Sequence, residues 1–222
     1  MQELSTSYFL DENQLETLIK RIVENYNIES FLKNKNLIQL ANTDIKIRFP
    51  FSFNIDNNVL KESAFIIILV HAGEASLAVS ESDQIIEHKS FKAYMVRQKQ
   101  GKSQIKHLKT KGKSKAGSRV RLASTDHFFN EINDKLNEWL EYYNIDRIAL
   151  SCNKTLFPFL FNRENAAIEK EDERIYKIPK HIPEANFDNL LQIHKYLISV
   201  EIFYESTYNK EVTDLLMNID DE

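Results

Sequence analysis

Residues 124–151 read STDHFFNEINDKLNEWLEYYNIDRIALS. Phe129, Ile132, Leu136, Trp139, Leu140 and Tyr143 recur at intervals of one, three and four, which places them on one stripe of a helix over 126–143. Ser124 or Thr125 stands where a capping hydroxyl is wanted. Past Asn144 the pattern changes. Arg147–Ser151 (RIALS) is a short strand. A long amphipathic helix feeding a strand through residues 144–146 is the building unit of an α/β fold.

Working back toward the N-terminus, Phe65–Val70 is an unbroken β-branched and aromatic run, the signature of a strand buried on both faces. Gly73 and Glu74 make a turn, Leu77–Val79 a returning strand, and Ile85–Gln98 a strand or hairpin. Asp44–Phe49 alternates Ile45, Ile47 and Phe49 with polar residues and stops at Pro50, as a half-buried strand does. Residues 11–26 carry Leu15, Leu18, Ile19, Ile22 and Val23 on one helical face, and residues 30–41 read as a second short helix. Toward the C-terminus, Thr155–Phe161 is a short helix with Pro158 near its start. Residues 169–174 (EKEDER) are a solvated connection, Tyr176–Ile178 a strand, and residues 186–204 a final helix. The expected fold is a mixed sheet flanked by helices. Its divisions are an N-terminal elaboration over 1–60, a core domain over 61–210 and a frayed acidic tail over 211–222.

The net charge of −4 conceals a strong asymmetry. Between His88 and Thr125 there are 12 Lys or Arg and no Asp or Glu. Subtracting these from the totals of 29 basic and 33 acidic residues leaves 17 against 33, or −16, elsewhere. A basic segment on an acidic body points to a phosphate-rich partner met by one region. Three of the four glycines, Gly101, Gly112 and Gly117, lie in that segment. From Gly101 to Ser118 the apolar periodicity disappears, so an exposed, mobile loop is expected there.

Several chemistries find no support. The histidines at 71, 88, 107, 127, 181 and 194 form no metal-ligand spacing, and Cys152 alone can build neither a disulfide nor a zinc cage. No metal and no cofactor are expected. Cys152 reads as a structural residue. The longest apolar run, Ala64–Ala72, is interrupted by His71 and too short to span a bilayer. No signal peptide is evident, and the single cysteine fits a reducing cytoplasm.

The remaining candidate is VRQKQGKSQIKHLKTKGKSKAGSRVRLAST, residues 96–125. On its own, Gly-x-x-Gln at Gly101-Lys102-Ser103-Gln104 is unspecific, and Gln104 could equally be a surface glutamine in a tether. Its setting is more telling: a basic stretch Arg97-Gln98-Lys99-Gln100 ahead of it, a Lys-, Gly- and Ser-rich run behind it, then the helix with Trp139. In this order the segment resembles the catalytic loop of the VMS-like release factors, relatives of the middle domain of eukaryotic and archaeal class-one peptide release factors. The likeness is close over about residues 88–152 and looser outside. Lys102 stands where eukaryotic members carry a second glycine. The zinc finger, ankyrin repeats and ATPase-binding tail of eukaryotic relatives have no counterpart, so the release-factor module alone is expected, as in bacterial members.

The resemblance implies an RNase H-like sheet of the release-factor middle-domain type, with a flexible catalytic loop between a strand and a long helix. It implies codon-independent hydrolysis of peptidyl-tRNA on the large ribosomal subunit in ribosome rescue or quality control. Gln104, Gly101 and Ser103 would be catalytic. Arg97, Lys99, Lys102, Lys106, Lys109, Lys111, Lys113, Lys115, Arg119 and Arg121 would meet RNA phosphate. A positioned amide suits such a reaction, because the ester is already activated and needs a held water and a stabilised oxyanion. Glutamine offers donor and acceptor without a charge to desolvate. The partners are rRNA and peptidyl-tRNA, with no membrane, and the chain is expected to be a monomer. Two alternatives remain: a nuclease acting near the tRNA 3′ end, with His107 beside a 2′-hydroxyl, and a non-catalytic RNA-binding module.

Overall fold

In the computed structural model the described residues are 3–32, 35–54, 59–60, 64–93 and 114–217. The chain divides into two compact units, one of residues 1–63, 81–83 and 191–222, the other of residues 64–80 and 84–190. The first boundary therefore falls near residue 63. Residues 191–210, read from sequence as part of the core domain, group instead with the N-terminal residues.

The first unit is built on an antiparallel sheet. Its strands are β1 (Glu3–Tyr8), β2 (Ile28–Leu32), β3 (Leu37–Leu40), β4 (Lys46–Arg48) and, from the C-terminal region, β12 (Val200–Glu205), in the order β1-β12-β4-β3-β2. Helix α1 (Glu12–Asn25) begins at a capping box. The Asp11 carboxylate accepts from the Gln14 N–H at 2.9 Å, and the Gln14 side chain accepts from the Asp11 N–H at 3.0 Å. Leu15, Leu18 and Ile22 of α1 pack with Ile38, Leu40, Ile47 and Ile202 of the sheet and with Val212 and Leu215 of α5 (Asn209–Leu216). Each such apolar side chain contributes roughly 1.5–3 kcal/mol by leaving water. Residues 53–54 and 59–60 form a two-stranded ribbon, β5 and β6.

The expected helix over 30–41 is instead the β2–β3 pair. Asn36 decides the matter locally. It adopts φ 51°, and its buried amide donates to the Phe49 and Pro50 carbonyls at 3.0 and 2.9 Å. Asparagine tolerates the left-handed region that a tight reversal needs. The expected final helix over 186–204 stops at Ile198, as α4 (Phe187–Ile198), and the β-branched and aromatic run VEIFYE becomes β12. Residues 211–216, expected as frayed tail, lie in α5.

The second unit carries a mixed sheet. A meander of β7 (Ala64–His71), β8 (Glu74–Glu81) and β9 (Gln84–Lys92) is extended by β10 (Ile145–Cys152) and β11 (Ile175–Lys177), in the order β9-β8-β7-β10-β11. β10 runs parallel to both β7 and β11. Helix α2 (Ser114–Tyr142) links β9 to β10, and α3 (Phe157–Phe161) follows β10. Ile66, Ile68 and Val70 of β7 and Leu77 and Val79 of β8 share a core with Phe128, Phe129, Ile132, Leu136 and Trp139 of α2. The apolar stripe read from the sequence is thus the buried face of this helix. Its start is not where the sequence placed it: α2 begins at Ser114, and Ser124 and Thr125 lie inside it rather than capping it. Lys, Arg, Ala and Leu extend a nucleated helix readily without any apolar stripe, so periodicity could not find this portion.

Candidate functional site

The segment singled out by sequence, Gly101, Lys102, Ser103 and Gln104 with Arg97, Lys99, Lys106, Lys109, Lys111 and Lys113, lies outside the described residues, as does His107. Lys115, Arg119 and Arg121 have backbones in the first turns of α2. The structure therefore defines the two anchors of the segment. One is the end of β9, where the Ala93 N–H donates to the Gly73 carbonyl at 2.8 Å. Gly73 has φ 91°, a conformation that favours glycine, and so fixes the β7–β8 turn against which β9 ends. The other anchor is the start of α2. With 29 residues, α2 is about 43 Å long.

A side-chain network ties the middle of β9 to the C-terminal end of α2. Glu87 of β9 accepts from the Trp139 indole N–H at 2.7 Å through Oε2 and from the Tyr143 hydroxyl at 2.8 Å through Oε1. The Lys135 ammonium lies 3.4 Å from the same carboxylate, 2.7 Å from Glu138 and 5.2 Å from the Trp139 ring centroid. The hydrogen bonds from Trp139 and Tyr143, followed by the charge of Lys135, hold the Glu87 carboxyl below the ordinary carboxylate range. Trp139 was legible as core and is buried, but its polar tip has this second duty. The spacing Lys135, Trp139, Tyr143 puts three donors on one helical face at intervals of four, a pattern that could have prompted a search for an acceptor.

A polar cleft of about 680 Å³ opens beside α2, lined by Asp126, Asn130 and Asp134 of the helix and by residues following β10, among them Phe159, Asn162, Arg163 and Glu164. Arg163 is held there by the Asn130 amide oxygen at 3.1 Å and the Asp126 carboxylate at 3.2 Å. With three carboxylates against one engaged guanidinium, the lining of the cleft is acidic. Elsewhere, burial pushes the Cys152 thiol up to about 12, which leaves no thiolate nucleophile at neutral pH. Burial also pushes His194 of α4 down to about 4. His88 stacks on Phe187 with ring centroids 4.2 Å apart. Among the described residues no cluster of His, Cys, Asp or Glu is arranged to hold a metal, and no helix is long and apolar enough to cross a membrane.

Residues 65–205 match the family model described as Bacteroidetes VLRF1 release factor. The chain belongs to this family. The matched span starts within β7 and ends with β12, so it includes the whole basic segment and both of its anchors. Among curated proteins, the tRNA endonuclease vms-1 of Caenorhabditis elegans is 28% identical over 152 residues, 67% of this chain and 25% of the relative. The tRNA endonuclease VMS1 of Saccharomyces cerevisiae is 31% identical over 103 residues, 46% of this chain and 16% of the relative. The chain thus spans a quarter or less of the length of these two relatives. A solved structure described as the Vms1 mitochondrial localization core aligns with 88% of this chain and 84% of its own at 13% identity, with a TM-score of 0.45.

Proposed function

We propose that this release-factor family member hydrolyses the ester of ribosome-bound peptidyl-tRNA, with residues 64–80 and 84–190 as its catalytic unit and Gly101–Gln104 presented to the tRNA end. The observation that carries this reading is the family match over residues 65–205, which contains the Gly-x-x-Gln segment. The sheet order β9-β8-β7-β10-β11, with a long helix between β9 and β10, is in keeping with an RNase H-like domain of the release-factor type. In the reaction, water attacks the ester carbonyl carbon. The bond to the ribose 3′-oxygen breaks, and that oxygen takes a proton, leaving a free peptide acid and an intact tRNA 3′-hydroxyl. The Gln104 amide orients the water and donates to the developing oxyanion. Gly101 allows close backbone approach, and Ser103 lies beside the reacting groups. The basic residues from Arg97 to Arg121 neutralise surrounding phosphate. On this reading release is codon-independent and belongs to ribosome rescue or quality control in the cytoplasm.

A second reading has one specific observation in its favour: both curated relatives are named tRNA endonucleases. In that case a base beside the scissile phosphate is required, and His107 is the candidate. Product analysis on large-subunit complexes carrying labelled peptidyl-tRNA separates the readings. Free peptide with full-length tRNA, lost in Gln104→Ala, supports hydrolysis. Shortened tRNA that depends on His107 supports cleavage. No turnover would leave a docking module and overturn both enzymatic readings.

A further inference from the structure

Strand β9 is the longest of the described strands and lies at a sheet edge. It spans Gln84–Lys92, nine residues, where an average strand has about five or six. β8 borders it on one side, and among the described residues no strand borders it on the other. A bare edge offers its N–H and C=O groups to any second strand. The other edges of the two five-stranded sheets are shorter: β11 has three residues, β1 six, and β2 five with a register shift between Ile28 and Ser30. Alternation sorts the side chains of β9. Glu87 and Phe91 turn toward α2, Glu87 as acceptor from Trp139 and Tyr143, Phe91 in one core with Phe128. Ile85 and Lys89 fall on that same face. His88 and Ser90 take the other, His88 against the Phe187 ring at 4.2 Å and Ser90 3.5 Å from the Ser76 hydroxyl.

We infer that β9 pairs antiparallel with β9 of a second copy of this chain, giving a two-fold dimer in place of the monomer expected from the sequence. Pairing over the whole strand sets its central residue, His88, opposite itself. Ile85 of one protomer then faces Phe91 of its partner, Ile86 faces Ser90, and Glu87 faces Lys89, each twice. The charges fit this register. Lys135 lies between Glu87 at 3.4 Å and Glu138 at 2.7 Å, so that cluster holds one carboxylate in excess. Lys89 of the partner brings the second cation to it on the same face. An edge lysine discourages pairing with an arbitrary strand, but opposite a carboxylate it favours pairing. Sliding the strands by two residues in either direction sets Glu87 against Glu87 or Lys89 against Lys89, so the sequence of β9 selects one register. The two Lys92 ends of the pair lie on opposite sides of the dyad, about 27 Å apart at 3.4 Å per residue. The pairing rests on strand edge and charge alone and is independent of the release-factor reading.

The test is the solution mass of the full chain by sedimentation equilibrium across a concentration series. The pairing predicts the mass of two chains at the upper end of the series. Lys89→Glu turns both Glu87–Lys89 pairs into like-charge pairs and should raise the dissociation constant about tenfold or more. Its far-ultraviolet circular dichroism should match the wild type, because Lys89 is exposed. Register is checked separately by cysteine crosslinking in a Cys152→Ser background. His88→Cys should join two chains on oxidation with diamide, whereas Gln84→Cys, about 27 Å from its counterpart across the dyad, should not. A mass of one chain at every concentration overturns the inference. So does a dimer that Lys89→Glu leaves intact, or one that His88→Cys fails to crosslink, because the copies then meet elsewhere.

Discussion

The two sheets use buried and exposed charge in opposite ways. In the antiparallel unit the main buried charge is neutralised internally. Arg48 of β4 meets Glu201 of β12 at 3.2 Å, donates to the Tyr196 carbonyl at 2.7 Å and lies 3.9 Å from the Tyr196 ring centroid. All three residues are buried. In the mixed unit the ion pairs lie nearer the surface: Lys135 with Glu87 and Glu138, Arg163 with Asp126, and Arg174 with Asp172. One unit uses electrostatics to fix its own packing. The other pairs its charges at partly exposed positions, and it holds most of the span shared with the release-factor family.

The comparison can be broken most forcefully at Glu201. Glu201→Ala leaves the buried Arg48 guanidinium without its carboxylate and should cost about 3–5 kcal/mol by chemical denaturation. Release activity per folded molecule should be unchanged, and a loss of activity greater than the loss of folded protein would mean that the antiparallel unit takes part in function. In the mixed unit, Trp139→Phe keeps the ring in the core but removes the donor to Glu87. A destabilisation of about 1 kcal/mol is expected for the lost hydrogen bond, with no change in salt dependence. A stability equal to wild type would show that Glu87 does not tie β9 to α2.

Charge in the basic segment should act without stability. Replacing Lys109, Lys111, Lys113 and Lys115 by Ala should leave the melting temperature within error and weaken subunit binding with a flatter salt slope. A lower melting temperature at unchanged slope would reverse the contrast between the units. The smallest effect is a pH dependence at His194. Burial lowers its folded pKa to about 4 against an ordinary 6.5, so the unfolded chain takes up the proton first as pH falls. Stability should therefore decline from about pH 6.5 toward pH 4. His194→Gln should flatten that decline, seen by denaturation at pH 7 and pH 5, whereas identical pH profiles would refute the assignment.

The legible parts of the fold were those with strong periodicity or long apolar runs. The stripe on α2 and the unbroken run in β7 declared themselves because each buries a whole face. The illegible parts depended on partners distant in sequence. β12 follows α4 with Ser199 alone between, and β1 is short and polar, yet each is a strand because the other lies beside it. Residues 30–41 carried enough apolar side chains for a helix, and only the reversal at Asn36 tells otherwise. At the candidate site, the Gly-x-x-Gln segment could be read from local order because its residues are contiguous. Glu87 could not, since it meets Trp139 and Tyr143 only through the packing of α2 on β9.

The most direct test of the central claim is single-turnover release of labelled peptide from large-subunit peptidyl-tRNA, with the tRNA recovered and sized. Gln104→Ala should slow release about a hundred- to a thousandfold, the cost of losing one positioned donor, while subunit affinity and melting temperature stay at wild-type values and the tRNA stays full length. If the Gln104 backbone N–H carries part of the duty, Gly101→Pro should be the more damaging change. Full-rate release by both variants would contradict the account and leave the basic segment as a docking element alone.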